Sequence, residues 1–377
     1  MWKTVNLGEA CLVRRGTTIT KKHAVEGDVP VIGGGTKPTY FHNEPNRAAS
    51  CITVSGSGAS AGFVNRWNMP IFASDCSTVE PKDETQLPQF VYYYLLSQQQ
   101  FIYDNFRSGA AQPHVYAKDI ETLDFPVLPL AEQERIVAKL DTAFAEIDEA
   151  VKSTKQSKRL SSELIKAAIL NKFESLPAEC NIKFESACSF VRGPFGGSLK
   201  KSIFVESGYA VYEQQHPINN QFENFRYFIT EEKFSEMVRF EVKPNDVLMS
   251  CSGVTLGRVG IVPKEAPKGI INQALLKITP KESLSSKYLQ LLMRSDIFQN
   301  LIWGVSGGAA QPNVPPIKVI KNLILPIPSL QVQNELVNWA NALQSLDVKN
   351  NLERKVQELS KLKSAILSQE LKSSEAA

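Results

Sequence analysis

One unusual phrase is written twice in this chain, as SGAAQPHV at residues 108–115 and as GGAAQPNV at residues 307–314. Three more blocks recur in the same order. EACLVRRG (9–16) returns as SACSFVRG (186–193), SGASAG (57–62) as SGVTLG (252–257), and PVLPLAEQERIV (126–137) as PIPSLQVQNELV (326–337). The separation drifts from 177 to 200 residues, as insertions in surface loops would make it. Four matches in register define an internal duplication, so the chain must fold into two similar domains. At 377 residues it is long enough for two cores.

Glycine and proline mark the boundaries. The chain holds 21 of each, yet neither falls between Leu130 and Leu176, nor from Leu330 to the C-terminus. Both residues oppose helix interiors, so these two windows are expected to be helical. In the first, Ile136, Leu140, Ala143, Ile147 and Val151 form an apolar seam that Leu160, Leu164 and Ala167 resume. In the second, Leu352, Val356, Leu359, Leu362 and Ile366 do the same. Such spacing is helical and close to a coiled-coil heptad. The polar run KSTKQSK (152–158) is expected to interrupt the first seam as a loop or a weak turn.

Elsewhere GFVNRW, DVLMSC and VGIV read as strands. Residues 88–106 and 286–303 read as one helix each, just before each Gly-Ala-Ala-Gln phrase. The fold class is therefore α+β. Two similar α/β domains (1–125 and 179–325) alternate with two helical regions (126–178 and 326–377). The helices are expected to pair antiparallel as a rod, giving a pseudo-twofold repeat. A helix of about 40 residues is about 60 Å long, which suits a long two-part target.

Catalytic equipment is not legible. His23, His42, His114 and His216 stand apart, without metal-ligand spacing. VIGGGTKP (31–38) lacks the P-loop spacing and reads as a glycine turn. NVPPIK (313–318) reads as a plain loop. No stretch of about 18 apolar residues predicts a membrane span, and no signal-peptide core opens the chain. The six cysteines are scattered and read as reduced thiols of a cytoplasmic protein.

Binding chemistry is legible. With a net charge of only +3, any nucleic-acid surface must be local. In the first half Arg14, Arg15, Lys21, Lys22, Lys37, Arg66 and Arg107 lie in glycine-rich, loop-like stretches. In the second half Arg192, Lys200, Lys201, Gln214, Gln215 and Arg258 do so. Arginine and lysine suit phosphates and guanine edges, and glutamine suits adenine edges. Phe144, Leu170, Trp339 and Leu346 are expected on the outer helix faces, uncovered by one antiparallel partner and available to another protein.

The residues also resemble a known family, the specificity subunits of type I restriction–modification systems. The second half matches best, through NDVLMSCSGVTLGRVGIV (245–262), INQALLKITP (271–280), GGAAQPNV and LILPIPSLQVQNELV (323–337). FPVLPLAEQERIVAKLD (125–141) matches the family's helix-opening motif in the first half. The resemblance implies two target recognition domains, each reading half of a bipartite DNA sequence. It implies that the helical rod sets the spacer and docks two methyltransferase subunits, which restriction subunits then join. S-adenosylmethionine, ATP and Mg would belong to those partners, and this chain would be no enzyme. The first half departs from the pattern by lacking the Asn272–Gln273 pair. Gln112 and Gln311 lie in matching motifs and are expected to hold each domain to its helix. Two other readings remain open from the residues: the recognition subunit of a fused restriction–methylation system, and a structural adaptor that binds no DNA.

Overall fold

The computed structural model describes residues 2–109, 111–194, 196–305, 313–345 and 348–372. The long helices among them are α1 (Pro88–Asn105), α2 (Leu130–Glu174), α3 (Ser286–Arg294), α4 (Asp296–Val305), α5 (Leu330–Gln344) and α6 (Val348–Lys372). The chain divides into two units, Met1–Gln156 with Leu352–Ala377, and Ser157–Asn351. No helix among the described residues is long and apolar enough to cross a membrane.

The first unit begins with a ribbon in which Thr4–Asn6 pairs antiparallel with Asp124–Pro126. A four-stranded antiparallel sheet follows, ordered Cys11–Arg15, Cys76–Pro81, Cys51–Ser55, Val64–Trp67. A three-stranded sheet, Tyr40–His42, Val29–Ile32 and Phe72–Ala73, lies beside it in sequence. Valine, isoleucine and threonine fill the central strand Cys51–Ser55, every residue of which is buried. Against this sheet packs the apolar face of α1, with Phe90, Val91, Leu95 and Ile102 fully buried.

The second unit repeats the plan. Asn181–Lys183 pairs with Ile324–Pro326. Its four-stranded sheet is ordered Cys188–Arg192, Leu275–Pro280, Val247–Ser250, Val259–Ile261. The register repeats too, with Cys11 opposite Pro81 and Cys188 opposite Pro280. Gly16 and Gly193 end equivalent strands where the backbone passes close to a neighbour. A Cβ would lie 2.2 Å from the Ser74 carbonyl oxygen at Gly16, and 1.8 Å from that of Asn272 at Gly193. Ser74–Asp75 thus occupies the place of Asn272–Gln273, which accounts for the missing pair in the first half. The second unit's other sheet has a fourth strand, Glu241–Val242.

The single helix expected over 286–303 is two helices, α3 and α4, whereas α1 runs unbroken for 18 residues. Ser295 is extended (ψ 159), its N–H reaches the Leu291 and Leu292 carbonyls, and Gln299 N–H returns to the Ser295 carbonyl. Ser-Asp is a helix-starting pair, and here it starts α4.

The polar run at 152–158 does not interrupt α2, which is helical for all 45 residues. Lysine, glutamine, serine and threonine lack glycine's or proline's penalty. The Thr154 hydroxyl donates to the Ala150 carbonyl at 2.7 Å, one turn back. In the first unit α2 and α6 run antiparallel. Lys139 meets Glu370 at 2.6 Å and Lys363 meets Asp148 at 2.8 Å, so numbers rise on one helix as they fall on the other. The expected seam holds at Ile136, Leu140 and Ile147, which are buried. It fails farther along, because Leu160 and Leu164 are exposed, and so is Leu362 on α6. An α-helix drifts from a strict heptad, so Thr154, Ile169 and Phe173 are the buried positions instead. In the second unit Ile169 and Phe173 join Leu336, Val337 and Ala340 of α5 in one core.

Gln133 and Gln333, 200 residues apart, sit in equivalent places with no exposed surface. Gln133 accepts the Leu87 N–H at 2.8 Å and donates to the Thr85 and Leu128 carbonyls at 2.8 and 2.9 Å. Gln333 accepts the Ser285 N–H at 2.9 Å and donates to the Ser283 and Pro328 carbonyls at 2.8 and 2.7 Å. Leu87 and Ser285 are the residues before α1 and α3. Each glutamine therefore ties the start of a domain helix to the start of a long one. Gln112, expected in that role, is exposed, and Gln311 lies outside the described residues.

Candidate nucleic-acid interface

The glycine blocks form matching loops. Gly58 and Gly62 have φ of 79° and 87°, and Gly253 and Gly257 have 72° and 80°. These left-handed values favour glycine at all four positions. A Cβ on Gly58 or Gly253 would meet nothing within 4 Å, so only the backbone demands glycine there. Gly62 and Gly257 face Ile102 and Gln299 at 2.9 and 3.0 Å, so space demands it as well.

Each loop is fastened from below. In the first unit Arg107 donates from Nε to the Ala61 carbonyl at 2.8 Å and from Nη2 to that of Ala59 at 3.2 Å. Its guanidinium also lies 3.9 Å from the Tyr103 ring centre. The Ser57 hydroxyl bonds Asp75, and the Ser55 hydroxyl donates to the Gly35 carbonyl at 3.2 Å. The turn bearing Lys37 is thereby drawn under the loop. In the second unit Gln214 donates to the Ser252 hydroxyl at 2.9 Å and Gln299 to the Gly257 carbonyl at 3.0 Å. Val254 at the loop tip is 90% exposed. An apolar side chain offered to solvent from a fastened loop is suited to touching a partner surface.

The sequence-predicted cations divide by environment. Arg15, Lys21, Lys22, Lys37, Lys200, Lys201 and Arg258 are exposed, as is Gln215. Arg14 is exposed but paired with Glu80 at 2.6 Å. Arg66 is half-buried, with Ser50 Oγ at 3.5 Å. Arg192 is half-buried and bonds the Cys251 thiol. Arg107 and Gln214 hold the loops. Arg107 bonds the first loop and Arg15 lines a pocket with Gly56 beside it, while Gln214 bonds the second loop and Arg192 and Arg258 lie at its two ends. Gln133, Gln333, Lys166 and Arg294 were not singled out from sequence. The offset of 200 that aligns PLAEQERIV with SLQVQNELV would have found the first two.

The four apolar residues expected on outer helix faces do not behave alike. Phe144 is covered: its ring meets Tyr93 edge-on at 5.4 Å and Lys363 Nζ lies 4.5 Å from its centre. Its place beside the seam puts it within the wide stripe a core-facing helix buries. Leu170 is half-buried and Trp339 is 37% exposed, with Lys172 Nζ 6.0 Å from its ring centre. Leu346 lies outside the described residues.

All six cysteines are free thiols. Burial pushes Cys11, Cys51, Cys76, Cys188 and Cys251 up to about 12, so they stay protonated at neutral pH. His216 is buried against Phe225, its ring centres 4.4 Å apart, with both nitrogens facing backbone groups. No group of three or more metal-ligating side chains occurs among the described residues.

Two matched units, each offering a fastened glycine loop with cations about it, define a duplicated recognition protein. The chain belongs to the type I restriction–modification specificity family, whose DNA specificity domain matches residues 1–156 and 196–363. Proteins of this class select sequence and leave catalysis to other subunits. The chain is 22% identical over 290 residues to the EcoBI specificity subunit of Escherichia coli, covering 70% of this chain and 60% of that protein. It is 21% identical over 324 residues to the MjaVIII specificity subunit of Methanocaldococcus jannaschii, covering 81% and 74%. Two solved chains share the fold. One, from a study of type I restriction–modification complex assembly and conformational transition, aligns over 98% of this chain and 97% of its own, with 18% identity and a TM-score of 0.72. The HsdS subunit of Thermoanaerobacter tengcongensis aligns over 98% and 96%, with 19% identity and a TM-score of 0.54.

Proposed function

We propose that each unit of this chain reads one half of a bipartite DNA target, within a cytoplasmic complex that holds two methyltransferase subunits and is joined by restriction subunits. The observation that carries this reading is the recurrence of one fastened glycine loop, beside solvent-facing cations, in two units whose main four-stranded sheets share one strand order. Arg15, Lys21, Lys22, Lys37, Lys200, Lys201 and Arg258 contact phosphates, which position the duplex. Gln215 is placed to meet a base edge. Arg14, Arg66, Arg107, Arg192 and Gln214 shape the loops and strands that present them. Leu170 and Trp339 belong to the surface that meets the methyltransferases. S-adenosylmethionine, ATP and Mg act in those partner subunits.

The test is methylome sequencing of cells that express this chain with the methyltransferase gene beside it. One methylated motif in two parts, separated by unspecified bases, is the expected result. A continuous motif, or methylation that does not depend on this chain, would overturn the reading.

A further inference from the structure

A cleft of about 500 Å³ in the second unit lies beside the 252–257 loop, lined by Val254 and Gly257 on one side and by Lys166, Arg258, Arg294 and Trp303 elsewhere. Three cations face one space, and among the described residues Asp296 is the only acid lining it. Arg294 is held in place by a bond from Nη2 to the Val259 carbonyl at 2.9 Å. Burial and the positive charge of Arg258 both push its pKa down, so the two guanidiniums crowd each other. Arg258 and Lys166 are exposed, and neither forms an ion pair among the described residues. An adjoining groove adds Lys287.

The first unit shows that the fold does not require these cations. At the loop offset of 195, Arg258 corresponds to Phe63. At the helix offset of 198, Arg294 corresponds to Leu96. Lys166 opens KAAIL (166–170), which matches KSAIL (363–367), so its counterpart is Lys363. That lysine is already bonded to Asp148 at 2.8 Å. The duplicated scaffold therefore stands without the cluster, and the cluster answers some other demand.

We propose that Arg258, Arg294 and Lys166 clamp one phosphodiester of the DNA backbone in this cleft, at the edge of the second recognition loop. The inference rests on the DNA reading above. Guanidinium forks suit two phosphate oxygens at once, and the lysine adds a point charge. A phosphate seated here positions the duplex against the loop carrying Val254, without itself reading sequence. The clamp has no equivalent in the first unit, so the two half-sites are gripped by different means.

The measurement is the affinity of the full chain for a labelled duplex of mixed sequence over a salt series. Each phosphate contact contributes about 0.9 to the slope of log affinity against log salt. The double variant Arg258→Ala with Lys166→Ala should lower the slope by about 0.9, the share of one phosphate, and each single variant should lower it by less. Lys155→Ala, at an exposed lysine of α2 that does not line the cleft, should leave it unchanged. A double variant with the wild-type slope overturns the clamp. So does a double variant that loses binding of inorganic phosphate while keeping the slope, because the cleft would then hold a small anion. Wild-type protein with no salt-dependent DNA binding would instead remove the DNA reading itself, and the clamp with it.

Discussion

The two units solve one packing problem with opposite chemistry. In the first, the end of α6 reaches the start of α2 through charge: Glu370, 5% exposed, meets Lys139 at 2.6 Å and Arg135 at 3.9 Å. In the second, Phe173 of α2 stands at the position of Glu370, as the KAAIL and KSAIL alignment places it. Phe173 is 2% exposed and meets Tyr288 edge-on at 5.7 Å. Trp339 stands where Lys139 does, 200 residues on. A duplication begins with the same residue at both positions of each pair, so at least one member of each has since been replaced. The pinning glutamines and the left-handed glycines have not diverged. Backbone geometry admits few substitutes, whereas one buried helix position holds a paired acid in one unit and an aromatic ring in the other. An acid at position 173 would be buried in an apolar core beside the Tyr288 ring, so the two helix ends are not interchangeable.

Substitutions at these contacts test how deep the difference runs, and hydrogen exchange resolved by unit reads each one separately. Phe173→Ala should have the largest effect, about 3–5 kcal/mol lost from the second unit, as for a buried aromatic truncated in a core. Protection in the first unit should stay at its wild-type level. Next come the pins. Gln133→Leu and Gln333→Leu each leave a buried N–H and buried carbonyls without partners, at about 1–3 kcal/mol. The two losses should be similar, each confined to its own unit. A large disparity would mean that the glutamines only look equivalent. The smallest effect belongs to Lys139→Ala. Its side chain is 57% exposed and Arg135 remains near Glu370, so the loss should be about 1 kcal/mol or less and should shrink as salt rises. A salt-independent loss as large as that of Phe173→Ala would erase the contrast between charged and aromatic junctions.

How much of this was legible depended on how far each feature reaches along the chain. The duplication showed because the left-handed backbone angles at 58, 62, 253 and 257 favour glycine over other residues. The long helices showed because forty-odd residues without glycine or proline leave little else. The seam beyond Ile147 was misread because Thr154 takes a buried position with a polar side chain, bonding its own helix. Phe144 was misplaced because its cover, Tyr93, comes from another element, which periodicity along α2 cannot reveal. The ribbon strands are three residues each, too short to show a period. The cleft cations come from positions 166, 258 and 294, and only the fold brings them together.

The ribbons have a consequence for inheritance. Thr4–Asn6 lies against Asp124–Pro126, and Asn181–Lys183 against Ile324–Pro326, so each module begins and ends side by side. A gene segment exchanged between such points would arrive as a cassette with both ends already adjacent. The recipient's helices would keep their pins in Gln133 and Gln333, provided the newcomer supplies the N–H and carbonyl groups those glutamines grip. New target preferences could then spread by recombination, module by module, faster than point mutation alone would remake them.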